Sequence, residues 1–356
     1  MFVGNRLRIA RQRRHLTKKQ LGEAISVEAR AVSGYEAGEY QPADATVDRL
    51  AKFLEFPRGF FFRDEPNIPD VSGVSFRSLS RRTAKQRDAA VAAGAFAYEL
   101  IDWVEERFDL PDIDVPDLSE LDPEAAAIEL RTYWSLGFRP IKNVVHLLEL
   151  HGVRVFSLSE ENLAVDAYSI WRGKLPCVFL NNQKSSERSR FDAAHELGHL
   201  VLHQRSALSG NDVEKDADAF ASNFLMPKEE FLTAGRISNI SEMMDLKQRW
   251  GVSLAAAIFR AYRLQMISKY QYETMFKEIS VRGWRKSEPN SMKRENSQVW
   301  KKVMSSLSGE GVWISHIAQE LDIPEVEIVK LIFGQQRRPD LEVAGDPPKL
   351  RLVSSP

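Results

Sequence analysis

Apolar residues recur at helical spacing along most of this chain and at strand spacing in one short stretch. Up to residue 63 the pattern is one of short helices separated by turn residues. Leu16-Thr17-Lys18-Lys19-Gln20-Leu21 opens a helix with Thr17 at the N-cap. A break near Ser26 follows, then Glu28 to Glu36, Gly38, Pro42 and the closing run Leu50-Ala51-Lys52-Phe53-Leu54. Thr83 to Phe108 forms one long helical pattern, stopped by Leu110-Pro111, and Pro111, Pro116 and Pro123 bar a regular helix across that stretch. Pro123 to Trp134 and Ile141 to Leu150 read as helices. Val153 to Leu158 and Pro176 to Leu180 read as strands, with Ala167 to Trp171 a weaker third. Helical spacing resumes over Glu187 to His203 and Val213 to Leu225 and holds for the most part to about Gly334. No internal repeat is visible. The expected fold class is α+β, mostly α, with one small antiparallel sheet.

Composition narrows the class. Hydrophobic residues make up 43% and aromatics 10%, enough for packed cores and against global disorder. The single cysteine, Cys177, excludes a disulfide framework and a cysteine-based zinc cluster. No apolar run approaches the roughly 18 residues a membrane span needs; the longest, Ala89 to Ala97, soon reaches Glu99 and Asp102. The start, MFVGNRLRIARQRR, lacks an apolar signal core. A cytoplasmic protein with no membrane partner is the expectation. The net charge of -1 hides an uneven distribution: Arg6 to Lys19 holds seven basic residues and no acidic one. Glu99 to Glu129 holds twelve acidic residues and one basic, Arg107. A polyanion would dock at the N-terminal part and be repelled by the middle.

Two short helices joined by a tight turn and followed by packing helices describe a helix-turn-helix over residues 1–63. Its spacing resembles the XRE/Cro repressor family: Leu16-Thr17, Leu21, Ser26 in place of the usual turn glycine, Glu28 to Tyr35, Glu36-x-Gly38 and Pro42. That resemblance implies double-stranded DNA as a partner and a homodimer on two-fold sites. Arg11, Arg13, Arg14, Lys18 and Lys19 are the expected phosphate anchors. The recognition helix would offer Glu28, Ala29, Arg30, Ser33 and Gly34, of which Arg30 is the strong base reader. The bland reading is a helix-turn-helix used for protein contact.

The central stretch carries the chemistry. Phe191-Asp192-Ala193-Ala194-His195-Glu196-Leu197-Gly198-His199 places two imidazoles about 40° apart on one helix face. Both can bind one zinc ion (Zn2+) through neutral ring nitrogens. Glu196, beside the first ligand, can take a proton from water and relay it to a leaving amine. A third ligand must come from the helix at Val213 to Leu225. There Glu214 falls about 50° from the centre of the apolar face, Asp218 about 90° and Asp216 about 110° on the other flank. Glu214 is the better aimed acid, with Asp216 as the alternative; Asp218 could accept the spare N–H of a ligand histidine. His203 lies about 12 Å along the axis from His195, so both cannot bind one ion. Tyr168, Tyr262, Arg260 and Arg263 are candidate oxyanion donors by type. The strand Pro176 to Leu180 is a candidate edge for pairing with an extended substrate.

These residues resemble the ImmA/IrrE family of zinc metallopeptidases, of the gluzincin type. The matched elements are Arg190-Phe191-Asp192-x-x-His195-Glu196-Leu197-Gly198-His199 with His203, then Glu214-x-x-Ala217-Asp218-x-Phe220-Ala221 with Phe224-Leu225-Met226-Pro227. Phe76-Arg77-Ser78 and the Leu246 to Arg263 segment extend the match to roughly residue 285. The resemblance implies a zincin-like domain in which His195, His199 and Glu214 hold zinc and Glu196 is the catalytic base. Its implied activity is that of a zinc-dependent metallo-endopeptidase. The implied substrate is a repressor or antitoxin, with a cognate toxin as a further partner, in stress or mobile-element regulation. Asp218 departs from the commoner asparagine. The expected domains are 1–63 helix-turn-helix, 64–123 linker with one long helix, 124–285 metallopeptidase, 286–340 helical C-terminal region and 341–356 loose tail. The pattern in Val312 to Phe333 leaves open a second helix-turn-helix or a packed helical hairpin. A rival reading makes the chain a DNA-binding repressor or antitoxin whose zinc site is structural or sensory. Glu196 argues against it, since a structural site needs ligands and no adjacent base.

Overall fold

Capping side chains set where many of the helices begin. Thr17 forms a capping box with Gln20: its hydroxyl accepts from the Gln20 amide at 3.1 Å and its amide donates to Gln20 Oε1 at 2.9 Å. Thr83 and Gln86 start the long helix in the same way. In a computed structural model describing residues 1–70, 83–158, 167–204 and 211–334, α1 (Gly4–Arg13), α2 (Lys18–Ala24), α3 (Ala29–Ala37) and α4 (Asp44–Leu54) come first. Then follow α5 (Ala84–Glu105), α6 (Pro123–Tyr133) and α7 (Val144–Leu150). The strands are β1 (Arg154–Leu158), β2 (Tyr168–Arg172) and β3 (Leu175–Asn181). After them come α8 (Ser186–Leu202), α9 (Asn211–Leu225), α10 (Lys228–Phe231), α11 (Ile240–Trp250), α12 (Leu254–Arg263) and α13 (Lys269–Val281). The last are α14 (Gln298–Gly309), α15 (Ile314–Leu321) and α16 (Glu325–Leu331). Phe76-Arg77-Ser78 and the expected tail over 341–356 lie outside the described residues. α7 begins at Val144 rather than Ile141 because Asn143 Oδ1 accepts from the His146 amide at 2.7 Å.

The sheet corrects one expectation. It is mixed rather than antiparallel, in the order β1-β3-β2, with β1 parallel to β3 (Val155 beside Val178) and β2 antiparallel to it (Tyr168 beside Phe179). The tight turn at Gly173, at φ +60°, forces β2 against β3. β3 carries the continuous apolar run Cys177-Val178-Phe179-Leu180, all buried, so it takes the centre with a neighbour on each side. The edge strand beside the sequence motif is therefore β2, not Pro176 to Leu180.

The sheet separates two apolar cores. On one face Phe156, Tyr168 and Phe179 stack, with ring centroids 5.2 and 4.4 Å apart, and join a core made by the N-terminal helices, α5 and α14 to α16. On the other face Val155, Val178 and Leu180 join the core of α6 to α13. The alanine-rich run of α5 thus meets protein on nearly every side. A Cβ on Gly94 would lie 2.6 Å from the Pro69 ring, so only glycine allows that approach. No described helix is long and apolar enough to cross a membrane.

The C-terminal pattern resolves into a hairpin packed on the body. Ile317, Leu321, Ile323, Ile328 and Leu331 enter the first core, Trp103 Nε1 donates to Glu320 Oε2 at 2.6 Å, and Trp300 Nε1 donates to the Val155 carbonyl at 2.9 Å. Buried carboxylates fasten the segment before α14. Glu187 accepts from Lys247 at 2.9 Å and from the Met292 amide at 2.9 Å. Glu295 pairs with Arg190 and caps α7 through the Val144 amide at 2.9 Å. Glu149 caps α14 through the amides of Gln298 (2.8 Å) and Val299 (3.2 Å) and accepts from the Ser297 hydroxyl.

Candidate functional site

Ser185 accepts from the Arg188 amide and starts α8, whose helical phase then stacks His195 over His199. α9 lies against α8 at Gly198, where an added Cβ would sit 3.0 Å from the Phe220 ring and 3.3 Å from Ala217 Cα. That close approach brings Glu214 over the two histidines. One ligand atom from each of His195, His199 and Glu214 lies within 4.8 Å of the others. The two Nε2 atoms are 3.0 Å apart, and each is 3.7 Å from a Glu214 oxygen.

The other ring nitrogens are held from behind. His195 Nδ1 lies 2.9 Å from Asp218 Oδ1, and His199 Nδ1 lies 3.2 Å from His203 Nδ1. Both Nε2 atoms are thus turned inward. Glu214 Oε1 is buried, and no hydrogen-bond donor reaches it among the described residues. An uncompensated buried carboxylate oxygen facing two imidazoles fits a cation. Two ligand bonds of about 2.0–2.2 Å at a tetrahedral angle span roughly 3.4 Å, close to the separations seen. Asp216 is outside the trio and acts on His203 through its field.

Glu196 is buried beside this cluster. Its Oε2 accepts from the Ser169 hydroxyl, on β2, at 2.7 Å. Burial raises its pKa to about 7 against the pull of His195 and Ser169. Burial opposes charge on His195, but the Asp218 bond and the fields of Glu196, Asp218 and Glu214 more than offset it and lift its pKa to about 9. His199 is driven well below its ordinary value by burial and then by His195 and His203. Burial also lowers His203.

In the N-terminal part of the chain, α2 and α3 pack together around a tight turn. Ser26 sits at φ +59°, in the left-handed region where glycine is the usual occupant, and Gly38 ends α3 at φ +70°. Residues 3–59 match the family model of a helix-turn-helix domain, and residues 148–262 match that of an IrrE N-terminal-like domain. The chain carries both of these domains. Two curated relatives, from Sinorhizobium medicae (strain WSM419) and Rhizobium meliloti (strain 1021), are named uncharacterized HTH-type transcriptional regulators. Each is 28% identical over 80 residues, which is 22% of this chain and 58% of the relative's own length.

Within the helix-turn-helix domain the expected phosphate anchors divide. Arg11 is buried in a two-pronged pair with Glu36, at 2.5 and 3.1 Å, and also donates to the Leu16 carbonyl. Arg13 and Arg14 both reach Glu327 of α16 at 2.6 Å, and Arg14 donates to the Leu54 carbonyl. These three arginines are internal joints and not a DNA face. They look like anchors in the sequence because their acids lie far along the chain. Lys18 keeps a half-exposed ammonium, 3.4 Å from Glu36, and Lys19 is exposed. Glu28 and Arg30 are exposed at the start of α3, with Ala29 and Ser33 half-buried. Gly34 is not outward: it is buried, and a Cβ there would meet the Tyr40 ring at 2.3 Å.

Two candidate oxyanion donors are committed elsewhere. Tyr168 donates to the Ala90 carbonyl at 3.0 Å, and Arg260 binds Asn223 Oδ1 at 2.7 Å and the Met226 carbonyl at 3.1 Å. Ser169 was not singled out from the sequence. The only signal was its place on a short strand, which says nothing of the acid it would face.

Proposed function

We propose that this chain is a DNA-binding transcriptional regulator whose second unit is a zinc-dependent metallopeptidase cutting a partner protein. The observation that carries the reading is the convergence of His195, His199 and Glu214, with an orphaned Glu214 oxygen, beside the buried acid Glu196. The matched domains and the names of the two relatives support the regulatory half.

His195, His199 and Glu214 would hold the zinc. Zinc bound there would supply Lewis acidity, making water more acidic and a carbonyl more electrophilic. Asp218 and His203 keep the two imidazoles turned with Nε2 inward. Glu196 takes a proton from the attacking water and returns it to the leaving amine, and Ser169 holds its carboxylate in line. β2, the sheet edge beside α8, aligns an extended substrate by main-chain pairing. By family resemblance the substrate is a repressor or antitoxin, a cognate toxin is a further partner, and the DNA-bound form is a homodimer.

Metal analysis of the purified chain tests this reading together with Glu196→Gln. The expected result is about one zinc per chain in both proteins, with cleavage of a co-expressed partner lost only in the variant. Cleavage that survives Glu196→Gln would overturn the mechanism; zinc retained with regulation unchanged would favour the structural or sensory site.

A further inference from the structure

Three of the five basic residues that pattern alone would give to DNA are consumed inside the molecule, so the charge that meets phosphates must come partly from elsewhere. α5 begins at the foot of the helix-turn-helix. Its capping box at Thr83 and Gln86 fixes the first turn, and Lys85 in that turn is exposed. Lys85 Nζ lies 3.1 Å from Oε1 of Gln20, which sits in the first turn of α2 directly after Lys18 and Lys19. Lys85 thus reaches the turn of α2 that carries Lys18 and Lys19, and that turn offers no acidic residue. Lys18 and Lys19 each have a carboxylate within 4 Å, Glu36 and Glu23. Lys85 makes no ion pair among the described residues. Its neighbour Arg87 differs, lying 3.7 Å from Asp88.

α5 is anchored on the helix-turn-helix domain. α5 and α1 share one apolar core through Leu7, Ala10, Ala93, Phe96 and Leu100, and Arg6 of α1 pairs with Glu99 of α5 at 2.9 Å. The start of α5 therefore stands beside α2, where Lys85 meets Gln20. A phosphate strand running past these lysines would neutralise their charge and release its own counterions.

We infer that Lys85 is a DNA-phosphate contact outside the helix-turn-helix domain, so that the DNA face is composite, built from α2 and the start of α5. This rests on the DNA-binding reading above. The test is fluorescence anisotropy of the full chain on a mixed-sequence duplex across a range of salt concentrations. Lys85→Ala should weaken binding several-fold near physiological salt and lower the slope of log affinity against log salt by about 0.9, the value of one phosphate contact. Lys85→Arg, which keeps the charge, should retain the slope, and Lys277→Ala, on the exposed side of α13, should leave it unchanged. If Lys85 only braced Gln20, Lys85→Ala would alter thermal stability and leave the slope intact, which would overturn the inference. A wild-type chain with no salt-dependent DNA binding would overturn the DNA reading itself. Loss of slope in Lys19→Ala but not in Lys85→Ala would sink the inference alone.

Discussion

Glu327 and Glu214 are both carboxylates drawn away from water, and the molecule treats them in opposite ways. Glu327, on α16, meets the guanidinium groups of Arg13 and Arg14 at 2.6 Å. Burial pushes its pKa up, yet Arg13, Lys330 and Arg14 together hold it below the ordinary value. Among the described residues Glu214 meets two ring nitrogens at 3.7 Å and keeps a buried oxygen without a donor. The first is a completed joint between the C-terminal hairpin and the helix-turn-helix domain. The second is two imidazoles and an acid with no cation partner among the described residues, a set that fits the cation proposed above.

Removing each acid should separate the two roles. Glu327→Ala takes the shared carboxylate from two arginines, one of them buried, and should cost about 3–5 kcal/mol in urea denaturation, as for other buried pairs broken on one side. A cost below about 1 kcal/mol would make the joint dispensable. Glu214→Ala in metal-free protein should be nearly neutral, because it removes an unsatisfied oxygen. Its cost should appear only when zinc is added. Zinc at about a thousandfold over its dissociation constant should stabilise the wild type by roughly 4 kcal/mol, and Glu214→Ala should lose most of that gain in the same titration.

Glu149 stands between these extremes: a hydroxyl and two amides donate to it, and Lys302 acts on it through its field. Burial outweighs those bonds and raises its pKa from the ordinary carboxylate value of 4.5 to about 7. The folded state therefore binds this proton more tightly than the unfolded chain. The resulting stability is fully present below about pH 4.5 and is lost as pH rises through about 7, a change of the order of 3 kcal/mol. Glu149→Gln should flatten that decline in denaturation curves recorded from pH 4.5 to 8; an unchanged slope would assign the decline to other groups. The smallest effect is expected at the turn of the helix-turn-helix. Ser26 sits at φ +59°, and Ser26→Gly should raise stability by about 1 kcal/mol with no change in zinc content.

The two regions were unequally readable before the structure. His195, Glu196 and His199 are neighbours on one helix, so their separation follows from helical phase alone. Glu214 could be ranked above Asp216 because the apolar face of α9 fixes which side turns inward. The arginines of α1 gave no such handle. Their acids, Glu36 and Glu327, are contributed by α3 and by the far end of the chain. The sheet shows the same limit: strand positions were visible from alternation, but which strand lies in the middle is a pairing between segments.

Periodicity and local hydrogen bonding act over a few residues, so the residue order already carried the helices, their caps, the turn at Ser26 and the facing histidines. Long-range closure had to place β3 between its neighbours, put Ser169 against Glu196, spend Arg11, Arg13 and Arg14 on internal acids and set Lys85 beside Gln20. Each of those depends on burying two apolar surfaces against one another, and the charged groups at the seam take whatever partner that burial delivers.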